Sequence, residues 1–417
     1  MIHAAQLAHI EAVINQMTLF DRPADAVLSA YFREHPKLGA QDRHVIAETA
    51  FACLRRYTFA TALIAPEKPT ARKLALATLA RIRHINLKEF GDSLAANERE
   101  WVTALKGKEV EASLALEAEL PEWVLERLAL NHDEIVELGQ GLMRPAPLDL
   151  RVNTLKMKRD DALARLVADG IDAEATPFSP IGIRLKGKPA INRHALFKDG
   201  ALEVQDEGSQ LLGLLVGARR GEMVVDFCAG AGGKTLLLGA QMASSGRLYA
   251  FDVSEKRLAN LKPRLARSGL SNVHPQLIAH ENDIKVKRLA GKADRVLVDA
   301  PCSGLGTLRR NPDLKFRQTG QSVAELNEKQ AAILESASRL VKTGGRLVYA
   351  TCSLLPQENR DIVAAFLERH PDFELTPANR LLEDMRVALD TGDCLEMSPH
   401  RHNTDGFFAA IMTRRQG

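Results

Sequence analysis

Residues 222–235 read EMVVDFCAGAGGKT, a short apolar run that ends in an acid and passes directly into a glycine turn. The pattern predicts a buried strand over Met223–Phe227, a turn on Gly230, Gly232 and Gly233, and a helix from Lys234 onward. Glycine lets the backbone approach a ligand and reach positive φ, while the helix N-terminus offers unpaired N–H groups beside it. Beyond this unit apolar runs and helical patterns alternate: LLLGAQM, RLYAFD, SEKRLANLKPRLARSG, DRVLVDA, ELNEKQAAILESASRLVKTGG and RLVYATC. Such alternation specifies an α/β domain, a Rossmann-like, mostly parallel, doubly wound sheet with ligands beyond the carboxyl ends of its strands.

The turn selects among nucleotide-like ligands by what it lacks. A P-loop needs glycine at 228, where Cys228 stands, and a dinucleotide fingerprint needs glycine at 235, where Thr235 stands. What remains is Gly230 and Gly232, with Asp252 closing the next strand, where its carboxylate can accept from both hydroxyls of a ribose. S-adenosylmethionine fits a glycine turn without a phosphate cradle. A purely structural turn and a nicotinamide oxidoreductase are the competing readings, the second disfavoured by Thr235.

At 417 residues the chain has room for two or three domains. Residues 1–118 read as helices: Leu7, Ile10, Val13 and Ile14 recur at helical spacing, as do Val45, Ile46, Thr49, Cys53 and Leu54, with Asp42 the expected cap of the second helix. Residues 119–205 read as a small mixed subdomain, with a helix through PEWVLERLAL and beyond, a strand at LDLRVN, a helix stopped by Gly170 and a strand at GIRLKG. Residues 206–417 form the α/β domain, with Asp206 capping its first helix. The opening MIHAAQLAHIEAVINQ lacks the apolar block of a signal peptide and no run approaches membrane length, so a cytoplasmic protein without membrane contact is expected. A net charge of +3 permits nucleic-acid binding without requiring it. Basic residues gather locally, at Arg55 and Arg56 and at Arg309, Arg310, Lys315 and Arg317, where gripping RNA phosphate competes with a solvated basic loop.

Five cysteines with no CxxC spacing argue against a disulfide framework or a metal site, so each thiol needs its own account. Cys53 reads as core, Cys228 as packing in the turn, and Cys394 as structural or exposed in a loop. Cys302, in DAPCSG, and Cys352, in ATCS, differ because each follows an apolar strand onto the ligand-bearing rim, and Asp299 stands beside the first. A nucleophilic thiol next to an electrophilic methyl donor is useful when the acceptor is a pyrimidine carbon. Addition of the thiolate at carbon 6 makes carbon 5 enamine-like, and an acid such as Asp299 can hold the ring and assist protonation. Position alone does not rank the two thiols.

These residues resemble a known family. DFCAGAGGKT, FDVSEKRL, VDAPCSGLGTLRRNPDLKFR, GGRLVYATCSLLPQENRD and DGFFAA are similar to the motifs of the RNA cytosine-5 methyltransferases of the RsmB/Sun (NOL/NOP/Sun) group, over a stretch from about 145 to the C-terminus. LGAQDRHVIAETAFACLRR resembles the NusB-like helical domain of the RsmB branch. The resemblance implies a class I S-adenosylmethionine-dependent methyltransferase fold preceded by a small α+β subdomain and an all-α RNA-binding domain. It implies Cys352 as nucleophile, Cys302 as the thiol that assists release, and Asp299 as the base-binding acid that also contacts the cofactor. Cys228, Ala229, Gly230, Ala231, Gly232, Gly233, Lys234, Asp252 and Asp283 match cofactor-contacting positions. Many members carry Ala-Ala-Pro-Gly-Gly-Lys where this chain has Ala229 to Lys234, and loss of the proline should loosen the turn. Ribosomal RNA is the favoured substrate, transfer RNA the alternative within the same chemistry, and a catalytically passive RNA-binding assembly factor the alternative outside it. Only 5% of residues are aromatic, so RNA shape rather than stacking should set specificity, with the target base unstacked or flipped to reach the site.

Overall fold

In the computed structural model, which describes residues 1–416, the chain divides into two compact units. One holds residues 1–145 together with 307–320, and the other holds 146–306 with 321–417.

The first unit is helical. The helix Ala4–Met17 buries Leu7, Ile10, Val13, Ile14 and Met17, as their spacing requires, and Ala40–Arg55 buries Ile46, Thr49, Cys53 and Leu54. Cys53 is fully buried, which pushes its thiol up to about 12. Gly39, not Asp42, caps the second helix; Asp42 lies in its first turn, where a negative charge suits the helix dipole, and accepts from Gln6 Nε2 at 3.0 Å. The helix expected through PEWVLERLAL is broken into Glu122–Leu125 and His132–Met143. Asn131 causes the break, because its side chain accepts from Glu134 N–H and Glu134 returns the bond in a capping box. Residues 307–320 join this core through Phe316, whose ring lies 4.7 Å from that of Phe20 and 5.1 Å from that of Tyr57.

The second unit carries two sheets. Strands β1 (Leu148–Val152), β2 (Ala173–Ala175), β3 (Gly182–Leu185) and β4 (Leu202–Val204) form an antiparallel sheet in the order β2-β3-β1-β4. It packs Leu150, Val152, Ile183 and Leu202 against Ala162 and Leu166 of the helix Arg159–Ala168, which ends before Gly170 at φ +81°. The larger sheet contains β5 (Met223–Asp226), β6 (Arg247–Asp252), β7 (Val273–Leu277), β8 (Ala293–Asp299), β9 (Val341–Thr351), β10 (Phe373–Thr376) and β12 (Phe407–Arg414), in the order β10-β12-β9-β8-β5-β6-β7. The short β11 (Leu395–Met397) pairs with β12.

Pairs from β7 through β9 are parallel, whereas β12 runs antiparallel to β9 and β10. Strand order reverses between β5 and β8, which opens a crevice at their carboxyl ends. Asp206 caps the helix Glu207–Leu215 as its position suggests, accepting from Gly208 N–H at 2.9 Å. Among the described residues, no helix is long and apolar enough to cross a membrane.

Candidate active site

The crevice is a pocket of about 490 Å³, and its floor is the glycine turn. Gly230 and Gly232 sit at φ +57° and +83°, and a Cβ at Gly232, the N-cap of the helix Gly233–Gln241, would collide with Leu261. A Cβ at Gly230 would meet nothing within 4 Å, so the turn leaves ligand space open beside its backbone. Where the proline is missing, two arginines bond to the turn. Arg264 donates to the Ala231 carbonyl at 2.6 Å, and the buried Arg151 of β1 donates to the Gly233 carbonyl, so the small sheet helps hold the loop.

Asp252 ends β6 at 3% exposure with its carboxylate set by three donors. Gly230 N–H reaches one oxygen at 2.8 Å, and Ser254 N–H (2.7 Å) and Arg257 (3.3 Å) reach the other. The carboxylate therefore lines the pocket in a fixed orientation, with lone pairs left for hydroxyl donors. Cys228, Ala229, Ala231, Gly233 and Lys234 line the same pocket, while Gly232 shapes the turn beneath them. Asp226 also lines it; burial pushes its carboxyl up to about 7, against the 2.6 Å hydrogen bond from Thr235.

Asp283 lies elsewhere. Its carboxylate accepts from Ala279 and Lys285 N–H, both at 2.9 Å, capping the short helix Ile284–Lys287, and it is not part of the pocket wall. The acid that reaches the pocket beyond β7 is Glu281. The signal for it was nearness to the strand end: it stands two positions closer to Leu277 than Asp283 does.

The opposite wall is the reacting rim. Lys234 Nζ donates to Asp299 Oδ2 at 2.7 Å. Burial works against the ammonium, but the charge and hydrogen bond of Asp299 outweigh it, so Lys234 stays above its ordinary value. Cys302 Sγ and Cys352 Sγ lie 3.3 Å apart, half-buried, on loops that leave β8 and β9. Cys302 also accepts from Cys352 N–H at 3.3 Å. The neighbouring Cys352 sulfur, then burial, hold the Cys302 thiol well above the usual range. Cys228 is likewise pushed up, by burial and nearby carboxylates.

The basic residues expected to grip RNA divide. Arg309 and Lys315 are 1% and 4% exposed, so neither can meet a phosphate where it stands. Lys315 instead donates to the Glu119 and Arg55 carbonyls at 2.7 and 3.1 Å, and Arg55 donates to the Arg309 carbonyl at 3.3 Å. Arg310 and Arg317 are half-buried, the latter 3.2 Å from Asp313. Cys394 is buried, its thiol raised to about 11, chiefly by burial. No group of side chains able to hold a metal ion occurs among the described residues.

A doubly wound sheet with one antiparallel strand, a glycine turn at its switch point and an acid after the next strand define a Rossmann-like methyltransferase domain of the S-adenosylmethionine-dependent class. The comparisons narrow this further. The family model for 16S rRNA methyltransferase RsmB/F matches residues 214–413, and that for the RsmF/B-like ferredoxin-like domain matches 120–192. The probable ribosomal RNA small subunit methyltransferase B of Synechocystis sp. is 30% identical over 99% of this chain and 100% of its own length. Its counterpart in Bacillus subtilis is 33% identical over 72% of this chain and 68% of its own. A methyltransferase homolog from Pyrococcus horikoshii superposes with a TM-score of 0.62 and 28% identity, covering 72% of this chain and 97% of that one. The chain belongs to the RsmB/F methyltransferase family.

Proposed function

We propose that the chain transfers a methyl group from S-adenosylmethionine to carbon 5 of a cytosine in small-subunit ribosomal RNA, through a cysteine adduct at carbon 6. The observation that carries this reading is the pair of thiols 3.3 Å apart on the rim of a pocket floored by a glycine turn. The curated relatives, each named as a ribosomal RNA small subunit methyltransferase B, support the substrate.

The residues suit the donor. Asp252, fixed by turn N–H groups, is placed for a ribose, and the N-terminus of the helix Gly233–Gln241 faces the same space. When bound, S-adenosylmethionine supplies an electrophilic methyl group. Cys352 attacks carbon 6 of the cytosine as a thiolate, and the electron pair displaced toward the ring nitrogen meets a proton on the side held by Asp299 and Lys234. Carbon 5, now enamine-like, is the nucleophile for methyl transfer. Loss of its proton to a base, expulsion of Cys352 as thiolate and return of the ring-nitrogen proton to the acid that lent it restore the ring. Cys302, a protonated thiol within reach of the departing sulfur, can return a proton to it and so favour release.

Incubation of the protein with tritiated S-adenosylmethionine and ribosomal RNA from cells lacking it, followed by nucleoside analysis, tests the reading. Label in 5-methylcytidine is expected. Label in another nucleoside, or in transfer RNA alone, contradicts it, and absence of transfer to either RNA favours a passive binding role.

A further inference from the structure

Cys302 and Cys352 lie fifty positions apart in sequence, on two different loops, and something must hold their sulfurs in reach of each other. We propose that Glu358 is a positioning residue that sets this spacing; the idea rests on the two-thiol reading above. Its carboxylate is fully buried and forms no part of the pocket wall, so it does not act on the base itself. One oxygen accepts from Ser303 N–H at 2.8 Å and from Gln330 Nε2 at 3.0 Å. The other accepts from the hydroxyls of Ser303 and Ser353. Ser303 follows Cys302 and Ser353 follows Cys352, so a single side chain ties together the residues next to both thiols.

Two neighbouring bonds complete the clamp. Gln330 also donates to the Pro301 carbonyl at 2.9 Å, pinning the other side of Cys302. Asn359 donates to the Ser353 carbonyl at 3.0 Å and accepts from the Thr351 hydroxyl, pinning both sides of Cys352. A carboxylate buried away from water is costly unless donors satisfy it, and these four donors do so. They converge from two loops and one helix, which packing of the sheet alone does not require. The sulfur separation that results is too long for a disulfide bond and short enough for one thiol to hand a proton to the other.

The test combines a readout that needs no RNA with one that does. Phenylarsine oxide bridges two thiols only when they are close together; on the full-length wild type it is expected to bridge Cys302 and Cys352, mapped by peptide mass spectrometry. In Glu358→Ala the bridging rate should fall roughly tenfold. Glu358→Gln keeps the size and one acceptor, so it carries the test if the alanine variant does not fold. For Glu358→Gln, turnover should fall roughly tenfold to a hundredfold, with S-adenosylmethionine affinity within about twofold of wild type and an RNA–protein adduct accumulating as release slows. Wild-type bridging and turnover in Glu358→Gln would overturn the proposal. So would a parallel loss of cofactor affinity, which would mean that the carboxylate supports the whole pocket. Cys302→Ala serves as control: if it traps no adduct, the two-thiol reaction is wrong, while the bridging rate still decides whether Glu358 sets the spacing.

Discussion

Two lysine–carboxylate pairs, one in each unit, behave oppositely. Lys234 and Asp299 meet at 2.7 Å with side chains 11% and 31% exposed, open to the pocket. Lys315 and Glu119 lie 3.4 Å apart at 4% and 1%, sealed in the helical unit. Lys234 is held above its ordinary value because Asp299 outweighs burial, whereas burial drives Lys315 down to about 8 despite Glu119. The difference lies in how each carboxylate is shared. Glu119 also accepts from Thr58 and Phe59 N–H, at 3.1 and 2.9 Å, and pairs with Arg56 at 3.3 Å, whose charge opposes that of Lys315. A lysine whose partner keeps one face open to a pocket can serve chemistry; one whose partner is fully engaged serves architecture.

The largest effect should come from the open pair. Asp299→Asn and Lys234→Met are each expected to lower turnover by roughly a hundredfold to a thousandfold while the melting temperature stays close to wild type. Steady-state kinetics beside thermal unfolding would check this, and a loss that appeared only in stability would erase the contrast.

Next is a pH effect at the pocket. The folded Asp226 carboxyl titrates near 7 against 3.8 when unexposed to burial, so between those values the folded state binds more protons and stability falls as pH rises. Asp226→Asn, which keeps an acceptor for Thr235, should remove that fall, worth a few kcal/mol across the window in denaturant titrations. Lys315 has the opposite sign at higher pH. Its folded value near 8 lies below 10.5, so the unfolded state binds more protons between them and stability rises through that window.

Lys315→Met should destabilise the helical unit by about 2 kcal/mol by leaving the Glu119 and Arg55 carbonyls without their donor, with S-adenosylmethionine affinity unchanged by calorimetry. A Lys315 variant that kept its stability but lost catalysis would break the comparison. The smallest effect belongs to Arg310→Ala: it should weaken RNA binding modestly and lower the salt slope by no more than about one counterion. Binding measured across a salt series would show it, and an unchanged slope would exclude a phosphate contact.

Much of this site was legible because chemistry follows strand ends. The apolar runs that close in Asp226, Asp252 and Asp299 mark where β5, β6 and β8 deliver side chains to the rim, and the two cysteines follow strands in the same way. Burial was not legible. LRRNPDLKFR reads as a basic loop, yet Arg309 and Lys315 are enclosed because residues 307–320 are built into the helical core. Nor does a lone glutamate in PQENR announce that it is fully buried against two serines, Ser353 nearby in sequence and Ser303 on a distant loop. Asp283 and Glu281 stand two positions apart, and only the path of the chain beyond β7 decides which reaches the pocket. The antiparallel run of β12 is equally hidden, since a strand buried along FFAAIM carries no sign of its direction.

The most direct test of the central claim is a denaturing gel of Cys302→Ala and Cys352→Ala, each incubated with S-adenosylmethionine and ribosomal RNA from cells lacking the protein. The expected result is a covalent RNA adduct with Cys302→Ala and none with Cys352→Ala, because the first retains the attacking thiol and lacks the one that assists its departure. An adduct with Cys352→Ala alone would exchange the two roles, and methyl transfer at the wild-type rate by Cys352→Ala would contradict the covalent mechanism itself.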